Sequence, residues 1–212
     1  DGSAIEEVAS TGGFVLGLAF DGDRHLFACD LRHAAVLRLE LATRRLERFT
    51  SPGIVIPNYP VVDRARGCLY VSDSHHFADP GPGVWRYDLG SGQGGLWYDR
   101  PMTFANGMAL EPGGGALLVA ETFARRVSRI AIGPDGEAGE RSDAAADLPG
   151  LPDGLAFDDA TPQGAALQNE AKVGILCASI LAALAGSAIL VGAARRGGRR
   201  GRRGGSPGRS GS

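Results

Sequence analysis

The sequence predicts an all-β fold over residues 1–158, followed by one apolar α-helix and a basic tail. Three observations lead there: a segment recurring at spacings of 42, 48 and 47 residues, four strand signatures in each period, and a charge-free run of 22 residues bounded by Val173 and Ala194. The recurring segment reads LGLAFDGDRHLFACD at residues 16–30, NYPVVDRARGCLYVSD at 58–73 and NGMALEPGGGALLVAE at 106–121, and begins again as DGLAFD at 153–158. Aligned on the acid that follows the first apolar stretch, the copies superpose Asp21, Asp63, Glu111 and Asp158.

Inside each copy a short apolar stretch, a Gly/Asp/Arg turn and a second apolar stretch such as CLYVSD predict two strands joined as a hairpin. A second hairpin follows in each. Residues 36–41 turn through 42–45 into 46–50, residues 84–88 turn through a Gly-Ser-Gly run into 96–99, and residues 127–132 turn at Pro134, Asp135 and Gly136. Four strands in roughly 45 residues is the period of a β-propeller blade, and 158 residues hold about 3.5 such blades. An antiparallel sandwich also spaces short strands regularly, but it has no need to repeat one phrase at one interval.

Charge divides the chain. The net charge of −2 conceals a tail of seven arginines, Arg195, Arg196, Arg199, Arg200, Arg202, Arg203 and Arg209, and without them residues 1–194 carry −9. Of the 22 basic residues only Lys172 is a lysine. Cys29, Cys68 and Cys177 form no C-x-x-C pair, so neither a disulfide framework nor a zinc site is expected. The chain starts at Asp1 with no basic and apolar leader, so no signal peptide is read and the true N-terminus is expected upstream.

Five residues before each alignment acid, in the loop leading into the blade, stand Leu16, Asn58, Asn106 and Asp153. Equivalent positions of successive blades surround the propeller axis. Three neighbouring blades therefore aim side-chain oxygens at one place, which suits a hard cation such as Ca²⁺ or Mg²⁺. Zn²⁺ remains an alternative, although no His or Cys is among the donors. Asn106-Gly107 and Asp153-Gly154 are also common turn dipeptides, and Asn58 could cap its own backbone. The shared register favours a site, because turn chemistry has no reason to choose an oxygen donor three times at one offset. Asp30, Asp73 and Glu121 recur at the end of each second strand and are expected to accept backbone N–H bonds. His75 and His76, adjacent on an extended segment, would point to opposite faces and make a poor metal pair. Neither G-x-S-x-G nor H-E-x-x-H is present, which removes the usual serine-hydrolase and zinc-peptidase arrangements.

The phrases FANGMALEPGGGALLVAET, LPDGLAFD and PNYPVVDRARGCLYVSDS resemble the gluconolactonase, regucalcin and strictosidine-synthase-like group of six-bladed propellers over residues 1–158. That resemblance implies a partial six-bladed-type propeller with a divalent metal on its axis, held by a Glu, an Asn and an Asp, with another Asn beside the substrate. Asn106 and Asp153 match the metal Asn and Asp, and Asn58 matches the substrate-side Asn. The matching Glu would lie before Asp1, so the site is expected to be weak and the propeller incomplete. The implied activity is metal-assisted hydrolysis of a small-molecule lactone or related ester, with Asp153 as the carboxylate that accepts a proton.

After Asp158 the composition turns polar, and residues 159–172 are expected to be a linker. Residues 173–194 are long enough for a membrane-spanning helix. Gly174, Ala178, Ala182 and Gly186 form a small-residue stripe along it, and arginines follow directly as on a cytoplasmic flank. Residues 195–212 are expected to be a disordered Arg/Gly tail; without aromatic residues or a fold beside it, it is not expected to bind nucleic acid. NEAKVGILCASILAALAGSAILV, residues 169–191, resembles the last helix of NhaA-type Na⁺/H⁺ antiporters, yet it holds no ion-binding carboxylate within the span.

The expected location is a single-pass membrane protein with a cytoplasmic C-terminus, or the cytoplasm if the helix does not insert. The first topology sets the propeller outside the cytoplasm without an export signal, which suits a fusion or truncated gene better than an anchored enzyme. Two alternatives to a hydrolase stand. One is a non-catalytic interaction module that self-associates through open blade faces, and the other is a membrane fragment inheriting only the antiporter-like helix.

Overall fold

Residues 6–22, 24–77 and 79–156 are described by the computed structural model. The chain divides into two compact units at residues 157/158, and the described residues all belong to the first. Asp158, the linker at 159–172, the helix at 173–194 with its antiporter resemblance, the tail at 195–212 and Cys177 lie outside the described residues. Among the described residues, no helix is long and apolar enough to cross a membrane.

The repeat becomes three antiparallel four-stranded meanders. The first contains β1 (Val15–Phe20), β2 (His25–Asp30), β3 (Ala35–Glu40) and β4 (Arg45–Arg48). The second contains β5 (Pro57–Asp63), β6 (Cys68–Asp73), β7 (Gly81–Asp88) and β8 (Gly94–Met102). The third contains β9 (Ala105–Leu110), β10 (Ala116–Glu121), β11 (Arg126–Ile132) and β12 (Ala138–Ala145). The first strands of the meanders, β1, β5 and β9, lie side by side, as the innermost strands of propeller blades do.

The alignment acids hold the first hairpins. Asp21 accepts the His25 N–H at 2.8 Å, Asp63 accepts the Arg66 N–H at 3.0 Å, and Glu111 pairs with Arg129 across the sheet at 2.6 and 2.7 Å. The recurring acid is therefore a turn acceptor at Asp21 and Asp63 and a cross-sheet ion-pair partner at Glu111.

Packing between meanders explains why the second strands are buried along most of their length rather than alternating. Every residue of β6, CLYVSD, is buried. Leu69 and Val71 join Phe27, Cys29, Val36 and Tyr87 in one core, while Cys68 and Tyr70 join Met108, Leu117, Val119 and Ile130 in the next. Alternate side chains of one strand thus enter two different cores, because the middle blade is covered on both faces. Each large apolar side chain buried this way contributes roughly 1.5–3 kcal/mol. Cys29 and Cys68 are free and buried, one in each core, and burial pushes the Cys29 thiol up.

Among the described residues, the first meander, blade I, packs against the second through β1 and β2 on β5. Its other face leaves Leu18 and Phe20 about half exposed, beside Phe14.

Candidate metal and substrate site

Asn58 and Asn106 do not lie in loops, as their turn-like neighbours suggested. Each is the second residue of its innermost strand, β5 or β9, and Leu16 is the second residue of β1. The reason is a β-bulge repeated at one place in all three blades. Pairing runs Val15 to Asp30 and then Leu18 to Ala28; Pro57 to Asp73 and then Pro60 to Val71; Ala105 to Glu121 and then Met108 to Val119. Residues 16–17, 58–59 and 106–107 each therefore face a single partner residue. An extra residue of this kind bends the strand and re-aims its side chain, and bulges concentrate beside functional sites.

The two asparagines make the same contact. Asn58 Nδ2 donates to Ser74 Oγ at 2.8 Å, and Asn106 Nδ2 donates to Thr122 Oγ1 at 3.1 Å. Ser74 Oγ donates to the Ala105 carbonyl and Thr122 Oγ1 to the Pro152 carbonyl, both at 2.8 Å. No hydrogen bond to the carbonyl Oδ1 of Asn58 or Asn106 occurs among the described residues. Asn106 is 7 % exposed, so little of its amide reaches water.

Asp153 is exposed and lies in a segment without regular secondary structure. Its backbone is nevertheless docked on the bulge of β9, where Gly107 N–H donates to the Asp153 carbonyl at 2.8 Å. A Cβ on Gly107 would stand 2.2 Å from that carbonyl oxygen, and a Cβ on Gly17 would stand 2.5 Å from the Asn58 carbonyl oxygen. Glycine at these positions lets one blade's innermost strand approach the next. The backbone of β9 just after Asn106 thus meets that of Asp153, with Asn58 one blade away on β5.

The recurring strand-end acids are structural anchors. Asp73 accepts the N–H groups of Val55, Ile56 and His75 and the indole N–H of Trp85 at 2.8–3.2 Å. Asp30 accepts the His33 N–H at 3.0 Å. Burial pushes the Glu121 carboxyl up, but hydrogen bonds from Arg126, Ser128 and the Thr103 N–H outweigh it and hold the group below the usual carboxylate range. His75 has a φ of 54°, which is not the extended geometry its sequence suggested, and His76 pairs with Asp79 at 3.3 Å.

Two groups of residues escaped the sequence reading. The hydroxyls of Ser74 and Thr122 each follow a strand-end acid and stand 16 residues after an asparagine, a signal present in VSDS and VAET. Phe77, Phe104 and Phe123 form a cluster with ring centroids 4.9–6.3 Å apart, and Phe77 and Phe123 are exposed. Phe104 precedes Asn106 by two residues and Phe123 follows Thr122, so two of the rings flank in sequence the Asn106–Thr122 contact.

A cleft of about 940 Å³ lies along the later parts of β1, β5 and β9, lined by Phe20, Tyr59, Arg66 and Met108 among others. Asn58, Asn106 and Asp153 are not in its lining, since they sit at or before the starts of those strands. Among the described residues no three His, Cys, Asp or Glu side chains group as metal ligands. The donors proposed by register are two amides and one carboxylate, an all-oxygen set that fits a hard cation.

The sequence matches the SMP-30/gluconolactonase/LRE-like region family over residues 3–173. No curated protein matches it. Among solved structures, a gluconolactonase of Xanthomonas campestris is similar at 23% identity and a TM-score of 0.57, over 69% of this chain and 53% of that one. A putative gluconolactonase is similar at 22% identity and a TM-score of 0.56, over 69% and 55% of the two chains. A chain of a nidogen/laminin complex gives 21% identity and a TM-score of 0.57, over 69% and 53%. At these identities the likeness is one of fold, and this chain spans about half the length of each.

Proposed function

The chain belongs to the SMP-30/gluconolactonase/LRE-like family, and on that premise we propose that the bulged mouth of its blades serves metal-dependent hydrolysis of lactones or related esters. The observation that carries the proposal is the bulge itself, repeated at one register in three blades with an oxygen-bearing amide at two of them. Asn106 and Asp153 would hold a divalent cation through the amide carbonyl and the carboxylate. Ca²⁺ suits the all-oxygen donors best, with Mg²⁺ or Zn²⁺ as alternatives. When bound, such a cation supplies Lewis acidity for the acyl carbonyl and lowers the pKa of water.

The chain's own residues do the rest. The Asn58 amide, one blade over, orients the substrate by hydrogen bonding. The exposed Asp153 carboxylate accepts the proton of the attacking water. The Phe77, Phe104 and Phe123 rings offer a carbon-rich wall against which the face of a cyclic substrate packs. Water adds to the acyl carbon, the ring C–O bond breaks with a proton passing to the leaving oxygen, and the hydroxy acid formed ionises to its carboxylate, releasing one proton.

That proton is the readout. The full chain with Ca²⁺ and a δ-lactone should release acid in a pH-stat faster than buffer, and a chelator should remove the excess. Asp153→Ala should lower kcat/KM about 100-fold or more. Equal rates with chelator, with Asp153→Ala and with wild type would contradict the proposal.

A further inference from the structure

We infer that Ser74 and Thr122 are positioning residues which fix the polarity of the Asn58 and Asn106 amides, turning both carbonyl oxygens away from the blade and toward the mouth. The inference rests on the reading of those amides as ligand-facing groups, and it comes from following single protons. A hydroxyl has one proton to give and can accept from other donors. A backbone carbonyl can only accept. Ser74 Oγ lies 2.8 Å from the Ala105 carbonyl oxygen, so its proton is committed there. Its contact with Asn58 at 2.8 Å must then be one in which Ser74 accepts, and only the NH₂ end of the amide can donate. The Asn58 carbonyl oxygen is left on the opposite side. Thr122 repeats every step, giving its proton to the Pro152 carbonyl at 2.8 Å and accepting from Asn106 Nδ2 at 3.1 Å.

Turning either amide over would oppose two oxygens with no proton between them. Ser74 and Thr122 are 1 % and 8 % exposed, so water has little access to relieve that opposition. An unpaired buried polar group costs about 1–3 kcal/mol, enough to keep one orientation dominant.

Blade I supplies the internal contrast. Leu16 takes the asparagine position there, and Leu31 takes the position after the strand-end acid, so amide and hydroxyl are lost together. The hydroxyls also reach forward. Ala105 and Pro152 directly precede Asn106 and Asp153, so each bond that orients one mouth residue also tethers the backbone of the next. Asn58, Ser74, Asn106, Thr122 and Asp153 therefore form one linked series across three blade positions.

The test compares the full chain with Thr122→Val, Thr122→Ser, Ser74→Ala and Ser74→Thr, reading side-chain NH₂ hydrogen exchange by NMR and Ca²⁺ affinity by calorimetry. Thr122→Val should speed exchange at Asn106 at least 10-fold, and Thr122→Ser should restore protection. Ca²⁺ affinity should fall about 10–100-fold in the first and recover in the second, the usual cost of losing a partner that orients a ligand. Ser74→Ala and Ser74→Thr should act in the same way on Asn58 exchange, which decides the matter if Thr122→Val does not fold. Unchanged exchange in the folded Thr122→Val and Ser74→Ala chains would overturn the inference. Absence of Ca²⁺ binding in wild type would overturn the metal reading alone, and amide exchange would still decide the role of the hydroxyls.

Discussion

Glu121 has no exposed side-chain surface, yet the groups around it favour the charged form. Arg126 donates at 2.8 and 3.0 Å, Ser128 at 2.5 Å and the Thr103 N–H at 2.9 Å. Burial raises the carboxyl pKa, and these donors lower it past the ordinary value. An unfolded glutamate titrates near pH ~4.3. Because the folded value is lower, the stabilisation is complete above that pH and is lost as pH falls through the folded pKa. Glu121→Gln should therefore lower stability at neutral pH by about 3 kcal/mol and flatten the acid side of the stability curve. Urea unfolding between pH 3 and 7 measures both effects, and an acid side as steep as wild type would contradict the assignment. At this scale the sequence shows that Asn58, Asn106 and Asp153 share an offset from a repeated acid, and the structure sets the two asparagines at one bulge register. The hydroxyls of Ser74 and Thr122 were not singled out, because their acceptors belong to the following blade segment and are brought close only by the fold.

Strand existence was legible and strand detail was not. Short apolar stretches and turn residues locate the first hairpin of each copy, and CLYVSD coincides with β6, while β1, β5 and β9 begin earlier than expected and take in Leu16, Asn58 and Asn106. The bulges escaped because two residues facing one leave no mark on composition, and Asn-Gly at 106–107 reads as a turn. β8 runs from Gly94 to Met102, beyond the expected 96–99, because its end pairs with Gly81 and Pro82 of β7. β12 is AGERSDAA, an outer strand largely open to solvent, so no apolar alternation announces it. The close approach of neighbouring innermost strands gives this scale its prediction. Gly107→Ala would set a Cβ 2.2 Å from the Asp153 carbonyl oxygen. It should destabilise the chain by about 1–3 kcal/mol and weaken cation binding. Gly95→Ala, where a Cβ meets nothing within 4 Å, is the control. Equal urea midpoints for the two variants would contradict the role given to Gly107.

For the molecule as a whole, the repeat period was enough to foretell stacked four-stranded meanders, and the described residues hold three of them. Two readings of that architecture compete. In one, the bulged strand starts collect oxygen donors around a cation. In the other, the apolar face of blade I, with Phe14, Leu18 and Phe20 exposed, docks on another protein surface or on a second copy, and the mouth is idle. The mouth decides between them, since the second reading gives its amides no ligand. Calorimetric titration of Ca²⁺ into the purified full chain, with Asn106→Ala and Asp153→Ala alongside, tests this most directly. Saturable binding at one site in wild type, lost in both folded variants, is the predicted result. A wild-type chain that takes up no Ca²⁺, Mg²⁺ or Zn²⁺, or variants that bind as wild type does, would contradict it.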